Sequence, residues 1–213
     1  MPEIENYEKT KYSKNISPGN GYEKGILSVL MQDLTLDLGP LIQEIEVEDV
    51  RIGLAYTGVL LSQDYGGVAC TPLYEFSGCP ASGFAETLKG KSADKLLELV
   101  LSQSFLETAV SIATANALAN MLGDLEPEKF QASDLDVLDL INPGDKVAMV
   151  GYFGPLVPKI LKITDKLTVL EKRDIKAVEA RTLPSEKAEA VLPYSDVIIL
   201  SASTLANRTF DEL

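Results

Sequence analysis

The 213 residues are 46% hydrophobic and 24% charged, the balance of an ordinary globular chain, so disorder, collagen and coiled coil are excluded as whole-chain classes and one large or two small domains are expected. Nineteen basic against 32 acidic residues leave a formal charge of −13, which argues against a nucleic-acid backbone or an anionic membrane as partner. Histidine is absent, and with it go the commonest metal ligand, the commonest general acid/base and any Ser-His-Asp or Cys-His mechanism within one chain.

Residues 1–24 are polar, carry Pro and Gly and lack the apolar region of a signal peptide, so they are expected to form a mobile arm. No stretch approaches the ~18 uninterrupted apolar residues of a membrane span. Two cysteines, Cys70 and Cys79, are too few for a disulfide framework, and a reducing, cytoplasmic location is expected. A helix over 26–36 comes next, then a long apolar, β-branched strand over 47–61. SQDYGG (62–67) turns the chain into a second strand at 68–72. A glycine-containing loop follows at 75–90, Ser92 can cap a helix over 93–101, and another helix spans 105–122. Residues 25–122 thus read as an α+β unit.

The helix over 105–122 holds five alanines and a single charged residue, Glu107, so it is expected to be buried on most sides. Glu107, Ser111 and Thr114 share one stripe, and Asn116 with Asn120 lies nearly opposite. A central helix cannot turn both stripes to water, so one of them, with Asn116 the candidate, is expected to line a polar cleft.

Residues 1–143 hold 22 acids and nine bases, whereas 144–213 hold ten of each, so all the net charge belongs to the first part. That break falls at Asn142-Pro143-Gly144 and marks 123–143 as an acidic connector. Beyond it, apolar β runs at 146–150, 167–170 and 196–200 alternate with segments long enough for a helical turn, the pattern of a parallel sheet built from βαβ units. Ligands in such sheets sit outside the carboxyl ends of the strands. The first end is Gly151-Tyr152-Phe153-Gly154-Pro155, whose glycines permit close backbone approach, and Pro158 suits the first turn of a following helix. The second strand ends at Glu171, twenty residues after Gly151, the spacing at which an acid meets a ribose hydroxyl in a dinucleotide fold. The third end offers Ser203, Thr204 and Asn207. The three ends are expected to converge on one crevice.

The phrases GDKVAMVGYFGPLV (144–157), LTVLEK (167–172), LPYSDVIILSASTLANRT (192–209) and TAVSIATANALAN (108–120) resemble a prokaryotic family of unknown function labelled for heavy-metal chelation. The resemblance spans roughly 25–213. It implies an α/β chain in which an enolase N-terminal-like domain precedes a Rossmann-like domain, with the active site in the cleft between them. It also implies further strands beyond residue 213, so the Rossmann-like domain is expected to be truncated. Thr209-Phe210-Asp211-Glu212 reads as a capping box announcing a helix, and the tail after Asn207 is expected to fray or to pack against another chain.

The first functional expectation is binding or processing of a small-molecule metal chelator or chelate in the interdomain cleft. The second is a nucleotide- or S-adenosylmethionine-type ligand, and the third a non-catalytic, homo-oligomeric interaction protein. No metal site is expected within the chain. The C-x8-C spacing matches no structural zinc pattern, and Cys70, in a strand, reads as a small buried residue while Cys79 reads as the more exposed.

Overall fold

The computed structural model describes residues 25–75, 83–130, 133–173, 175 and 179–213. Helix α1 (Ile26–Leu38) opens the described chain and is stopped by Gly39, which adopts φ +54°, followed by Pro40. An antiparallel meander comes next: β1 (Val47–Ile52), β2 (Tyr56–Leu61) and β3 (Gly66–Cys70), in that spatial order. The single long strand expected over 47–61 is therefore a hairpin. Gly53 donates its N–H to the Tyr56 carbonyl at 2.9 Å, which closes a turn at Leu54 and Ala55. Gly53 followed by Leu54 and Ala55 gave little turn signal, and the ladder brings Ile52 opposite Thr57.

Helix α2 (Ala93–Leu97) continues as a 3-10 turn to Leu101, and α3 (Phe105–Leu125) then lies along the β3 edge of the meander. The alanines of α3 make this approach possible. At Gly67 a Cβ would stand 2.1 Å from the Ala113 carbonyl oxygen and 2.4 Å from the Ala117 nitrogen, so only glycine fits beneath the helix. Ser111 and Thr114, fully buried, donate their hydroxyls to the carbonyls of Leu97 and Val110. Leu61, Leu96, Leu118 and Met121 anchor the core between sheet and helices.

The connector contributes a 3-10 turn, Val137–Leu140, closed by a reciprocal capping box between Asp136 and Asp139. A four-stranded, all-parallel sheet follows: β4 (Val147–Val150), β5 (Leu167–Glu171), β6 (Arg181–Pro184) and β7 (Val197–Leu200), in the spatial order β6-β5-β4-β7. Every residue of β4 is buried, as a central parallel strand requires. Val147 and Met149 face one apolar cluster and Ala148 and Val150 face another, so both sides of the sheet are covered. Strand β6 was not expected, because Arg181 and Thr182 are exposed and leave no apolar run to read. Short helices α4 (Val157–Ile160), α5 (Ala188–Val191) and α6 (Ser203–Ala206) pack alongside, with Pro158 in the first turn of α4.

The segment after Asn207 packs on its own chain instead of fraying. The Asp211 carboxylate accepts the Ile26 N–H at 2.9 Å and so caps α1, and Leu213 packs against the sheet's second cluster. Thr209 forms no capping box. Its hydroxyl donates to Asn207 Oδ1 at 2.8 Å, and only a 3-10 turn, Phe210–Glu212, follows. Arg208, at φ +61°, sends its guanidinium across to the other domain. There it donates to the Ser102 carbonyl and the Thr108 hydroxyl and lies 5.4 Å from the centre of the Phe105 ring.

Candidate functional site

The strand order places β4 beside β5 on one side and β7 on the other, so the chain runs outward from β4 through β5 and β6 and then adds β7 on the opposite flank of β4. That switch point is where a doubly wound sheet opens a crevice. Gly151 forms its floor. Its φ of +83° is one that side chains rarely adopt, and an added Cβ would stand 3.0 Å from Ser201 Cβ, so glycine is what lets the β4 end press against the β7 end. Ser201 then faces Ser203 with 2.7 Å between the hydroxyl oxygens and accepts the Ser203 N–H at 3.3 Å. Thr204 turns its hydroxyl back onto the Ser201 carbonyl at 2.6 Å.

Glu171 ties the glycine loop to the end of β5. Its Oε2 accepts the Tyr152 N–H at 3.0 Å, and its Oε1 accepts the Arg173 N–H at 3.2 Å and the Arg173 Nε–H at 3.3 Å. Burial pushes this carboxyl up, but the bonds from Tyr152 and Arg173 outweigh it and hold its pKa below the ordinary glutamate value. Both oxygens are thus engaged by the chain itself, which sets Glu171 up as an organiser of the loop.

The other wall comes from the first domain. Leu54, Tyr56 and the stretch from Cys70 to Glu75 face the sheet ends, enclosing a cleft of about 480 Å³, within the usual range for small-molecule sites. Two contacts cross its mouth. Lys172 Nζ lies 3.2 Å from Glu75 Oε1, and the Arg173 guanidinium sits 5.3 Å from the centre of the Tyr74 ring. At the far end, Arg208 joins the domains without a carboxylate partner among the described residues, and burial lowers its pKa from the ordinary arginine value.

Of the residues singled out from the sequence, Gly151, Tyr152, Phe153, Glu171, Ser203, Thr204 and Asn207 line this cleft together. Gly154 and Pro155 do not. Gly154 instead gives room to the Tyr152 ring, which would stand 3.3 Å from an added Cβ. Asn116 also lies elsewhere. It donates to the Val68 carbonyl at 2.8 Å, as Asn120 does to Gly66 at 3.1 Å, and both line a trough on the outer face of the meander with Arg51 and Asp49. The two amides satisfy carbonyls on the β3 edge, a demand that helix periodicity cannot reveal.

Cys70 corrects its expectation too. Ala69 takes the buried side of β3, so alternation turns Cys70 outward, where it is exposed and lines the cleft. Cys79 lies outside the described residues. Among the described residues no three of Cys, Asp and Glu gather into a set that could hold a metal ion. The cleft's donor set of hydroxyls, one amide, one thiol and two ion-paired carboxylates does not suit a bare soft or borderline metal, which selects thiolates and imidazoles.

Two family models, both described as "Putative heavy-metal chelation", match residues 36–119 and 134–213, and the second is the DUF364 family. An uncharacterized protein of Methanocaldococcus jannaschii is 24% identical over 176 residues, 79% of this chain, and this chain spans 65% of that protein's length. A solved structure of a DUF364 protein with unknown function from Pyrococcus horikoshii is 25% identical with a TM-score of 0.69, covering 87% of this chain and 71% of that one. One from Desulfitobacterium hafniense is 17% identical with a TM-score of 0.68, covering 86% and 71%. These likenesses agree with the two-domain α/β architecture. Among the described residues no helix is long and apolar enough to cross a membrane.

Proposed function

The chain belongs to the "Putative heavy-metal chelation" family, and from that premise we propose that it handles metal in complexed form, binding a small-molecule chelate or its chelator in the cleft between its domains. The observation that carries this reading is the composition of the cleft. It joins the sheet ends of one domain to Tyr56, Tyr74 and Cys70 of the other, and it offers rings and neutral polar groups in place of a ligand set for a naked ion. Aromatic walls with a few convergent polar groups suit an organic ligand of moderate size. In a chelate, the organic part supplies the metal's own donors, so the protein need contribute none.

The strand order favours a second reading, a nucleotide- or S-adenosylmethionine-type ligand, because a sheet of this order binds such molecules at its switch point. The engagement of both Glu171 oxygens weighs against it, since the ribose hydroxyls would have to share an acceptor already bonded to Tyr152 and Arg173. Calorimetric titration separates the readings. Free nickel, the nickel complexes of picolinate and of 2,2′-bipyridine, adenosine and S-adenosylmethionine would each be added to the protein. Saturable binding of one chelate per chain, with none for free nickel, is the expected result. Binding of free nickel alone would overturn the proposal, and binding of the adenosine compounds alone would move the assignment to the second reading.

A further inference from the structure

The β7 end of the cleft presents hydrogen-bond donors with no unoccupied carboxylate among them. Asn207 is the clearest case. Its Oδ1 accepts both the N–H and the hydroxyl of Thr209, at 3.3 and 2.8 Å, and two donors converging on one atom fix that atom as the oxygen. Its Nδ2 therefore faces the other way, and its two N–H groups have no acceptor among the described residues. The Ser201–Ser203 pair gives a third donor. The two hydroxyls share one hydrogen bond at 2.7 Å. Whichever serine donates it, the other keeps an O–H proton without an acceptor among the described residues. The Thr204 hydroxyl is held by the Ser201 carbonyl and adds none.

The charged groups of the cleft are already matched. Lys172 pairs with Glu75, and Arg173 pairs with Glu171. At the β7 end the ligand thus meets three neutral donors and no uncompensated cation, in a chain whose formal charge is −13. A phosphate dianion would lack a counter-charge, whereas a singly charged carboxylate is well served by two or three neutral donors.

We infer that the β7 end of the cleft is the subsite for a carboxylate head, received by Asn207 Nδ2 and the Ser201–Ser203 hydroxyl pair, so that the ligand class is a carboxylate-bearing chelator. This rests on the reading of the cleft as the ligand site. Tyr152 and Phe153, next along the cleft from Gly151, would meet the body of such a molecule.

The test compares picolinate, a pyridine ring carrying one carboxylate, with 2,2′-bipyridine, in which a second ring replaces the carboxylate, by calorimetry on the wild type and on Asn207→Asp. The aspartate keeps the oxygen that Thr209 bonds and exchanges only the amide nitrogen for a charged oxygen. Picolinate should bind the wild type at least tenfold tighter than bipyridine. Asn207→Asp should weaken picolinate by roughly tenfold to a hundredfold, the loss of a hydrogen bond to a charged group, and leave bipyridine unchanged. Equal affinity for the two compounds, or equal weakening of both by the substitution, would overturn the carboxylate subsite and leave the cleft reading standing. Inorganic pyrophosphate binding tighter than picolinate, with the same dependence on Asn207, would overturn the carboxylate class. Binding of neither organic compound, whether free or as its nickel complex, would overturn both the subsite and the cleft reading.

Discussion

Replacing Glu171 by glutamine removes the charge that gathers the Tyr152 N–H, the Arg173 N–H and the Arg173 guanidinium. The amide can turn its oxygen to only one side. If that oxygen keeps Tyr152, the NH2 group opposes two donors of Arg173, and if it keeps Arg173, it opposes the Tyr152 N–H. One face of the junction is lost either way. Bonds to a charged group are worth about 1.5–3 kcal/mol, but Arg173 is more than half exposed and water screens its share, so a loss of about 1–2 kcal/mol is expected at neutral pH. The pH dependence gives the sharper signature. An acid whose folded pKa lies below its unfolded value adds stability that is fully present above the unfolded pKa and disappears as pH falls through the folded one. For Glu171 the loss thus begins near the ordinary value of 4.5 and continues below it. Urea unfolding followed by circular dichroism from pH 7 downward should show the wild type and Glu171→Gln converging across that acid range. A difference that stays constant with pH, or no difference at pH 7, would refute the reasoning.

Gly151→Ala should cost about 2–4 kcal/mol in the same assay, combining the positive φ with the 3.0 Å approach to Ser201 Cβ. Adding Ser201→Gly should recover the contact share and leave the backbone share. Arg208→Ala should destabilise by about 2–3 kcal/mol, because it strips a charged donor from the Ser102 carbonyl and the Thr108 hydroxyl, and limited proteolysis of the 123–143 connector should quicken as the domains part. Cys70, tested in a Cys79→Ser background, should react readily with a thiol reagent in the native protein and slow down when a chelate fills the cleft.

Where burial is symmetric and local, the chain announced its structure. The run Val147–Val150 is apolar throughout because it is the strand covered on both sides, and the helix over 105–122 was legible from its alanines, although it continues to Leu125. Glycines and hydroxyls following the apolar strands pointed to the sheet edge, and most of the candidates drawn from it do meet in one cleft. What stayed illegible depends on partners distant in sequence. The Asn116 amide answers a carbonyl 48 residues away, and Arg208 reaches 100 residues back to Thr108, and neither distance leaves a periodic trace. The hairpin at Gly53 was hidden because its turn uses Leu54 and Ala55, residues with no turn preference. That miss also concealed the first domain's wall of the cleft, since Leu54 and Tyr56 were read as the middle of a strand. Cys70 was within reach of simple alternation once Ala69 was recognised as the buried neighbour.

The central claim is that one ligand is held by both domains at once. Hydrogen–deuterium exchange with and without the nickel–picolinate complex tests it most directly. Protection is expected on both walls together, over 54–57 and 70–75 in the first domain and over 151–153 and 201–209 in the second. Protection confined to a single domain, or appearing on the outer trough around Asn116, would contradict the account.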